Sequence, residues 1–236
     1  MESQRGQHIS RKFDEDLERL RSDVLAMGGV VEEQIADAVD AFVNADVHLA
    51  ERVSERDHEV NGLEVALDEK CSRILALRQP AAGDLRLIIA VIKTITDLER
   101  IGDQAERVAR TVLRLGNENP IQEHYPAIRH LGSMVKQMLR DTLDTFARMD
   151  PDQALEILKG DREVDREYEA LTRQLVTVMM EDPRNIRGCL SMLFAARALE
   201  RIGDHSKNIN EYLIYMVHGK DIRHTSPLAD KASGAD

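Results

Sequence analysis

Paired carboxylates on two predicted helices are the residues of this chain whose type and spacing could do chemistry. Glu99 and Asp103 lie in the stretch Leu-Glu-Arg-Ile-Gly-Asp, which recurs unchanged around Glu200 and Asp204. Residues four apart in a helix project from one face, so each copy places two like charges side by side. Each copy also contains a mid-helix glycine, which costs about 1 kcal/mol relative to alanine. A bound cation is the simplest feature that would offset both costs.

A second set of acidic residues lies on the helix that precedes each copy. At 100° per residue, each set falls on a flank beside the apolar seam of its helix. If the flanks face each other, each half of the chain forms one acidic groove. We therefore predict two metal sites, one made by Asp57, Glu64, Glu99, Asp103 and Glu106, with Asn61 and Asp68 nearby, and one made by Asp161, Asp165, Glu200 and Asp204. The second has fewer carboxylates, because Tyr168 and Lys207 replace Glu64 and Glu106, so we expect it to bind fewer or different ions.

Oxygen ligands alone do not identify the metal. They suit hard or borderline cations, and iron, manganese, magnesium and zinc are all compatible with them. The competing interpretation is that these carboxylates are solvated and are neutralised by basic neighbours, namely Arg100, Arg107, Arg110 and Lys207. The repetition of both acidic flanks in both halves favours the metal interpretation. Arg86 and Arg187, repeated where the third and sixth helices begin, are expected to form salt bridges without a further function.

Other reactive residues have weaker patterns. A Glu-x-x-His pair ending at His58 has the spacing used by di-iron bundles, but the second half has Arg162 at the equivalent position. His58 and His205 are therefore expected to lie on the surface near the sites. Cys71 and Cys189 lack a CxxC spacing and are expected to be reduced and packed. The sequence contains no phosphate-binding glycine loop and no nucleophile elbow.

Composition favours helices and excludes one class of partner. Aromatic residues make up 3% of the chain, and residues that favour helices are abundant. A formal net charge of −11 argues against nucleic acid, because phosphate backbones are held by clusters of Lys and Arg. No segment has the run of about 18 apolar residues that spans a bilayer. We expect a cytoplasmic protein that reaches a membrane only through its partners.

Apolar residues at helical spacing predict six long helices in two equivalent halves. Asp46 and Asp150 are predicted N-caps at matching positions, and Asp84 is the predicted cap of the third helix. Short connections between amphipathic helices favour antiparallel neighbours. The predicted fold is all-α, with two tandem, duplicated antiparallel three-helix bundles. The predicted divisions are an N-terminal tail over 1–9, a first repeat over 10–116, a second repeat over 117–219 and a mobile C-terminal tail over 220–236.

A duplicated three-helix unit whose copies end in Leu-Glu-Arg-Ile-Gly-Asp resembles the PhoU family, and the resemblance covers about residues 10–219. Further landmarks are Val60-Asn61-x-Leu63-Glu64, Asp84-Leu85-Arg86 and Met179-Met180-Glu181-Asp182-Pro183-Arg184. The resemblance implies a cytoplasmic, non-catalytic regulator of phosphate homeostasis. Such a protein restrains the high-affinity phosphate ABC transporter through its ATPase and, through a phosphate-sensing histidine kinase, silences the phosphate-starvation response when phosphate is plentiful. It also implies metal clusters at the Glu-x-x-x-Asp motifs and a homodimer.

Two other functions stay open on the sequence alone. A carboxylate-bridged metalloenzyme, either an oxidase or a phosphohydrolase, would need an open coordination position and a general base. The sequence neither shows nor excludes them. A purely structural coiled-coil protein would carry no metal, and its stability would not respond to chelators.

Overall fold

The computed structural model describes residues 2–78, 80, 82–115 and 122–219, with side chains from residue 12 onward. This part of the chain contains no strand and consists of six long helices with short connections. The helices are α1 (Glu2–Asn44), α2 (Val47–Arg78), α3 (Ala82–Leu115), α4 (Tyr125–Arg148), α5 (Pro151–Glu181) and α6 (Ile186–His218). Single 3-10 turns, Gln122–His124 and Pro183–Asn185, precede α4 and α6. The predicted all-α fold with six helices is confirmed.

Two helix starts differ from the prediction. Helix α1 begins at Glu2 rather than near Ser10, because the polar residues before Ser10 include no proline that would end a helix. Helix α3 begins at Ala82, so Asp84 lies inside its first turn instead of capping it. A carboxylate there still interacts favourably with the positive end of the helix dipole. The predicted boundary between the repeats, at residues 116 and 117, and the predicted tail at 220–236 lie outside the described residues.

The turns that open α2 and α5 have the same construction. Asp46 accepts a hydrogen bond from the backbone N–H of Leu49 at 2.9 Å. Asp150 accepts hydrogen bonds from the backbone N–H groups of Asp152 and Gln153, at 3.1 Å each. The residue before each cap has a left-handed backbone, with φ of 53° at Ala45 and 56° at Met149. The predicted N-caps are confirmed, and the repeat extends to the geometry of its turns.

Helix α3 has two buried stripes, and the second of them joins the two halves of the molecule. The predicted seam is buried within the first half and contains Ile88, Val91, Ile95, Leu98, Gly102, Ala105, Ala109 and Val112. A second buried stripe contains Ala90, Thr94, Asp97, Ile101, Gln104, Val108 and Thr111. Helix α3 packs against α6, and α1 packs against α4, in addition to the contacts within each bundle. The two bundles therefore share one extensive interface. None of the described helices combines the length and apolar character needed to cross a bilayer.

Candidate metal sites

The first acidic groove is built by three helices around Asp57. This carboxylate, on α2, is only 6% exposed. Its Oδ1 accepts a hydrogen bond from Gln34 Nε2 of α1 at 3.4 Å, and its Oδ2 accepts from Asn61 Nδ2 at 3.2 Å. Gly102 of α3 faces Asp57, whose Oδ1 would lie 3.6 Å from a Cβ built on the glycine. A Cβ at this position would lie 3.2 Å from Gln34 Oε1 and 3.2 Å from Val60 Cγ1. The glycine thus permits the close approach of α3 to this part of the groove.

The remaining carboxylates of the first groove differ in their partners. Glu64 accepts a hydrogen bond from Thr96 Oγ1 of α3 at 3.3 Å. Glu106 forms an ion pair with Arg110 at 2.7 Å, whereas Arg100 is 3.5 Å from Glu99 and 3.6 Å from Asp103.

Electrostatics shows which of these groups interact. Burial raises the pKa of Glu99, and the negative charges of Asp103, Glu64 and Asp57 raise it further against the opposing effect of Arg100. The charges of Asp57, Glu64 and Asp103 therefore act on Glu99 as one interacting group. Glu106 is instead paired with Arg110.

The second groove contains basic side chains of the protein itself. Lys207 Nζ donates a hydrogen bond to Oδ2 of the buried Asp161 at 2.8 Å. Arg197 forms an ion pair with Glu200. These two cations lie where the first groove has a carboxylate and a threonine, since Lys207 and Arg197 are equivalent to Glu106 and Thr96. The second groove is therefore partly neutralised from within the chain.

The second groove nevertheless retains interacting acidic groups. Burial raises the pKa of Glu200, and the charges of Asp204, Asp165 and Asp161 add to the shift while Arg197 opposes it. Burial also raises the pKa of Asp165, with Asp161 and Asp204 as the next causes. Asp204 itself is exposed. The four predicted residues are therefore close enough for their charges to interact.

The side chains of the two grooves supply donors suited to a metal ion without forming a ready-made metal site. Within the described residues, no three His, Cys, Asp or Glu side chains are grouped closely enough to hold a metal ion as they stand. The first groove does offer oxygen donors beyond its carboxylates. Gln34 is fully buried, and its Oε1 has no hydrogen-bond partner among the described residues; the same is true of Asn61 Oδ1. Amide oxygens, like carboxylates, are ligands that hard cations accept. The donor chemistry of the first groove therefore fits a hard cation, whereas Lys207 makes the second groove a poorer fit.

Gln34 is a site residue that the sequence analysis did not find. The available signal was its place on α1, where it follows Val31 by three residues and precedes Ala38 by four, as a member of the apolar seam would. The equivalent residue of the second half is Met138, whose Sδ would lie 3.9 Å from a Cβ on Gly203. A polar residue on an otherwise apolar seam thus distinguishes the first groove from the second.

His205 does not occupy the surface position expected for it. Its Nδ1 lies 2.6 Å from Asp97 Oδ1 of α3, which also accepts a hydrogen bond from Asn208 Nδ2 at 3.2 Å. The prediction for His205 is wrong because the second stripe of α3 packs on α6 and covers the histidine. His58 is exposed, as expected.

Two further sequence predictions have different outcomes. Cys71 and Cys189 are free and buried, as predicted. Arg86 was expected to form a salt bridge, but within the described part of the chain it has no carboxylate partner. Its guanidinium instead lies near Gly219, at 3.7 Å from a Cβ built there. Arg187 donates a hydrogen bond to the carbonyl oxygen of Arg114 at 3.4 Å.

Comparisons with known proteins agree with the duplicated architecture. The family model described as PhoU domain matches residues 24–112 and 128–213, one match in each repeat. The phosphate-specific transport system accessory protein PhoU homolog of Pseudomonas putida is 52% identical over 217 residues, covering 92% of this chain and 85% of that protein. The phosphate-specific transport system accessory protein PhoU of Escherichia coli K12 is 51% identical over 220 residues, covering 92% and 90%.

A solved structure gives the same result for the fold. The crystal structure of PhoU from Pseudomonas aeruginosa superposes with a TM-score of 0.85 at 52% identity, covering 88% of this chain and 100% of that one. The likeness thus spans both repeats in sequence and in the arrangement of the helices. With two matched domains and more than half of the aligned residues identical, the chain belongs to the PhoU family.

Proposed function

We propose that this protein is a cytoplasmic, non-catalytic regulator that restrains high-affinity phosphate ABC transport when phosphate is plentiful. The observation that carries the proposal is the identity of 51–52% over both repeats with proteins named as accessory to phosphate-specific transport. The proposed partners are the ATPase of the phosphate transporter and a phosphate-sensing histidine kinase, with the protein acting as a homodimer. The accessory role for which these relatives are named favours regulation over the metalloenzyme alternative.

Expression of a phosphate-starvation reporter tests the regulatory role. Deleting the gene should raise alkaline phosphatase expression in cells grown with abundant phosphate, because the starvation response would lose its restraint. Expression of the full chain from a plasmid should return it to the repressed level. Unchanged alkaline phosphatase in the deletion strain would contradict the proposal. Wild-type cells starved of phosphate provide the fully induced control.

We further propose that a metal ion, whether iron, manganese, magnesium or zinc, binds in the first groove. The support is the interacting group Asp57, Glu64, Glu99 and Asp103, together with the unpartnered Oε1 of the buried Gln34. A cation there would neutralise carboxylates supplied by α2 and α3 and so hold the two helices together. This role is structural and requires no turnover.

Elemental analysis of purified protein tests metal binding. Asp103→Asn should lower the metal content substantially, because it removes a negative donor from the first groove. Asp204→Asn is the matched variant in the second repeat and should lower the metal content much less. Wild-type protein that carries no metal after growth with each of the four metals would contradict the proposal.

A further inference from the structure

A cavity between α3 and α6 is lined by a cluster of arginines. Its volume is about 340 Å³, and its charged lining residues among those described are Arg107, Arg110, Arg114, Arg197 and Arg201. The rest of the lining is Gln104, Thr111, Phe194 and Ala198. The whole chain has a formal net charge of −11, so this cluster opposes its overall balance. Like charges around one cavity repel one another where they are not paired with a carboxylate, and a bound anion would relieve that repulsion.

Three of the five arginines have no acidic partner in the part of the chain that the structure describes. Arg110 and Arg197 form ion pairs with Glu106 and Glu200 of the two grooves. In contrast, Arg107 donates a hydrogen bond to the side-chain oxygen of Gln104 at 3.4 Å and forms no ion pair with a described residue. Arg114 and Arg201, which also line the cavity, form no ion pair with a carboxylate among the described residues. The cavity therefore holds guanidinium groups that are available to a ligand.

The duplication of the chain does not account for this cluster. Positions 101 residues after Arg107, Arg110 and Arg114 are equivalent to them in the second repeat. These positions hold Asn208, Glu211 and Tyr215. The three arginines are thus specific to the first repeat, and a shared helical framework alone does not require them.

We propose that this cavity binds a small phosphorylated molecule with two or more phosphate groups. The planar guanidinium donates paired hydrogen bonds that match phosphate oxygens, which makes arginine the preferred residue for such anions. The volume falls in the range of small-molecule sites. Phe194, which is 65% exposed, also lines the cavity and supplies an aromatic ring of the kind on which nucleobases stack. Arg110 and Arg197 connect the cavity to the acidic grooves, but its other three arginines lie outside the ion pairs of those grooves. Binding of the anion does not require a metal ion in either groove.

Calorimetric titration of metal-depleted, full-length protein tests the site directly. Orthophosphate, pyrophosphate, ATP and adenosine are titrated separately at low ionic strength, where charge interactions are least screened. Pyrophosphate and ATP should bind more tightly than orthophosphate, and adenosine should not bind. The double variant Arg114→Gln, Arg201→Gln should weaken pyrophosphate binding about tenfold or more, since it removes two charged donors. Both residues are exposed and lie outside the ion pairs of the grooves, so the variant should fold.

A second cavity supplies the matched control. It also has a volume of about 340 Å³ and is lined by the exposed Arg19 and Arg73, but Asp16 and Asp23 line it too. The double variant Arg19→Gln, Arg73→Gln removes the same charge from the chain. It should leave pyrophosphate affinity unchanged, which separates a specific site from a general loss of positive charge.

The outcomes identify the ligand or overturn the proposal. Equal affinity for pyrophosphate and ATP supports a site for phosphate groups alone, whereas tighter ATP binding that Phe194→Ala weakens supports a nucleotide. In wild-type protein, pyrophosphate should also protect Arg107, Arg114 and Arg201 from modification by phenylglyoxal. The proposal is overturned if neither pyrophosphate nor ATP binds, or if both double variants weaken pyrophosphate binding equally.

Discussion

The glycines of the two acidic motifs occupy unequal spaces, although their sequence surroundings are identical. At Gly102 a Cβ would crowd both Gln34 and Val60 at 3.2 Å, while at Gly203 its nearest neighbour would be Val164 Cγ1 at 3.4 Å. Alanine in a helix interior is favoured over glycine by about 1 kcal/mol. That gain meets a steric cost only at the first position. The same residue type therefore has a packing function in one repeat that is largely absent from the other.

Alanine substitution should distinguish these two glycines. Gly203→Ala should raise the free energy of unfolding by up to about 1 kcal/mol, because the site accepts a methyl group. Gly102→Ala should be less stable than Gly203→Ala by about 1–2 kcal/mol, because Val60 is β-branched and cannot rotate away. Urea unfolding of metal-depleted proteins measures both. Identical changes in the two variants would contradict a packing role for Gly102.

Lys207 is the residue whose replacement should make the second groove resemble the first. Lys207→Glu restores the carboxylate found at Glu106 and removes the hydrogen bond to the buried Asp161. We expect lower stability without metal, because Asp161 would lose its cation, and a higher metal content in protein purified from metal-supplemented cells. Elemental analysis and thermal unfolding measure the two effects. Lys159→Glu, an exposed change of the same charge on α5, is the control and should show neither.

At the scale of elements, each acidic groove is a contact between two helices that carry like charges. In the groove between α2 and α3, Arg110 pairs with Glu106 at 2.7 Å, but Glu99 and Asp103 have Arg100 as their counter-ion at 3.5 Å or more. The groove between α5 and α6 has Lys207 at 2.8 Å from Asp161 and a close arginine at Glu200. The first pair of helices should therefore depend more strongly on an added cation.

Hydrogen exchange should detect this difference between the helix pairs. Removing metal at pH 7 should increase amide exchange in α2 and α3 more than in α5 and α6. A metal bound only to the folded state contributes about 2.7 kcal/mol at a hundredfold excess over Kd, and that contribution would be lost. Metal-loaded and metal-depleted samples provide the comparison. Equal protection of both halves with and without metal would contradict this prediction.

Mild acid should partly replace the metal in the first groove. The pKa of Glu99 is raised in the folded protein, so the folded state holds its proton at a higher pH than the unfolded chain does. Stability must then increase as the pH falls from 7 through that raised pKa, until the unfolded chain is protonated too. Urea unfolding of metal-depleted protein should show this gain, and Glu99→Gln should reduce it. A stability that only decreases below pH 7 would contradict the prediction.

At the scale of the whole molecule, the two bundles are parts of one folded unit. The second buried stripe of α3 packs toward α6, where Asp97 contacts His205 and Asn208. The contact between α1 and α4 adds to this interface. Burial of apolar area stabilises both halves together, so neither repeat has its full core alone.

A fragment containing only the first repeat tests this interdependence. Residues 1–120 would expose Ala90, Thr94 and Ile101 of the second stripe, which are buried in the full chain. We expect the fragment to be less stable than the full chain and to self-associate through the exposed face of α3. Light scattering and urea unfolding measure the two properties. A monomeric fragment with the urea midpoint of the full chain would show that the repeats are independent.

Local features of this protein were determined by the sequence by itself. The six helices, the duplicated unit and the caps at Asp46 and Asp150 follow from interactions between residues a few positions apart. The acidic flanks follow as well, because the helical period alone places Glu99 and Asp103 on one face. These predictions needed no knowledge of which helix lies beside which.

Only the tertiary structure decided how the helix faces are paired. A hydrophobic period shows that a face is buried but does not name the distant face that covers it, so the second stripe of α3 and the contact of His205 with Asp97 could not be foreseen. The place of Gln34 in the first groove could not be foreseen for the same reason, because Gln34 lies on α1 and the acidic pattern lies on α2 and α3. The arginine cavity brings together residues of α3 and α6 that are about 90 positions apart in the sequence. Such clusters arise from long-range packing, which local spacing does not encode.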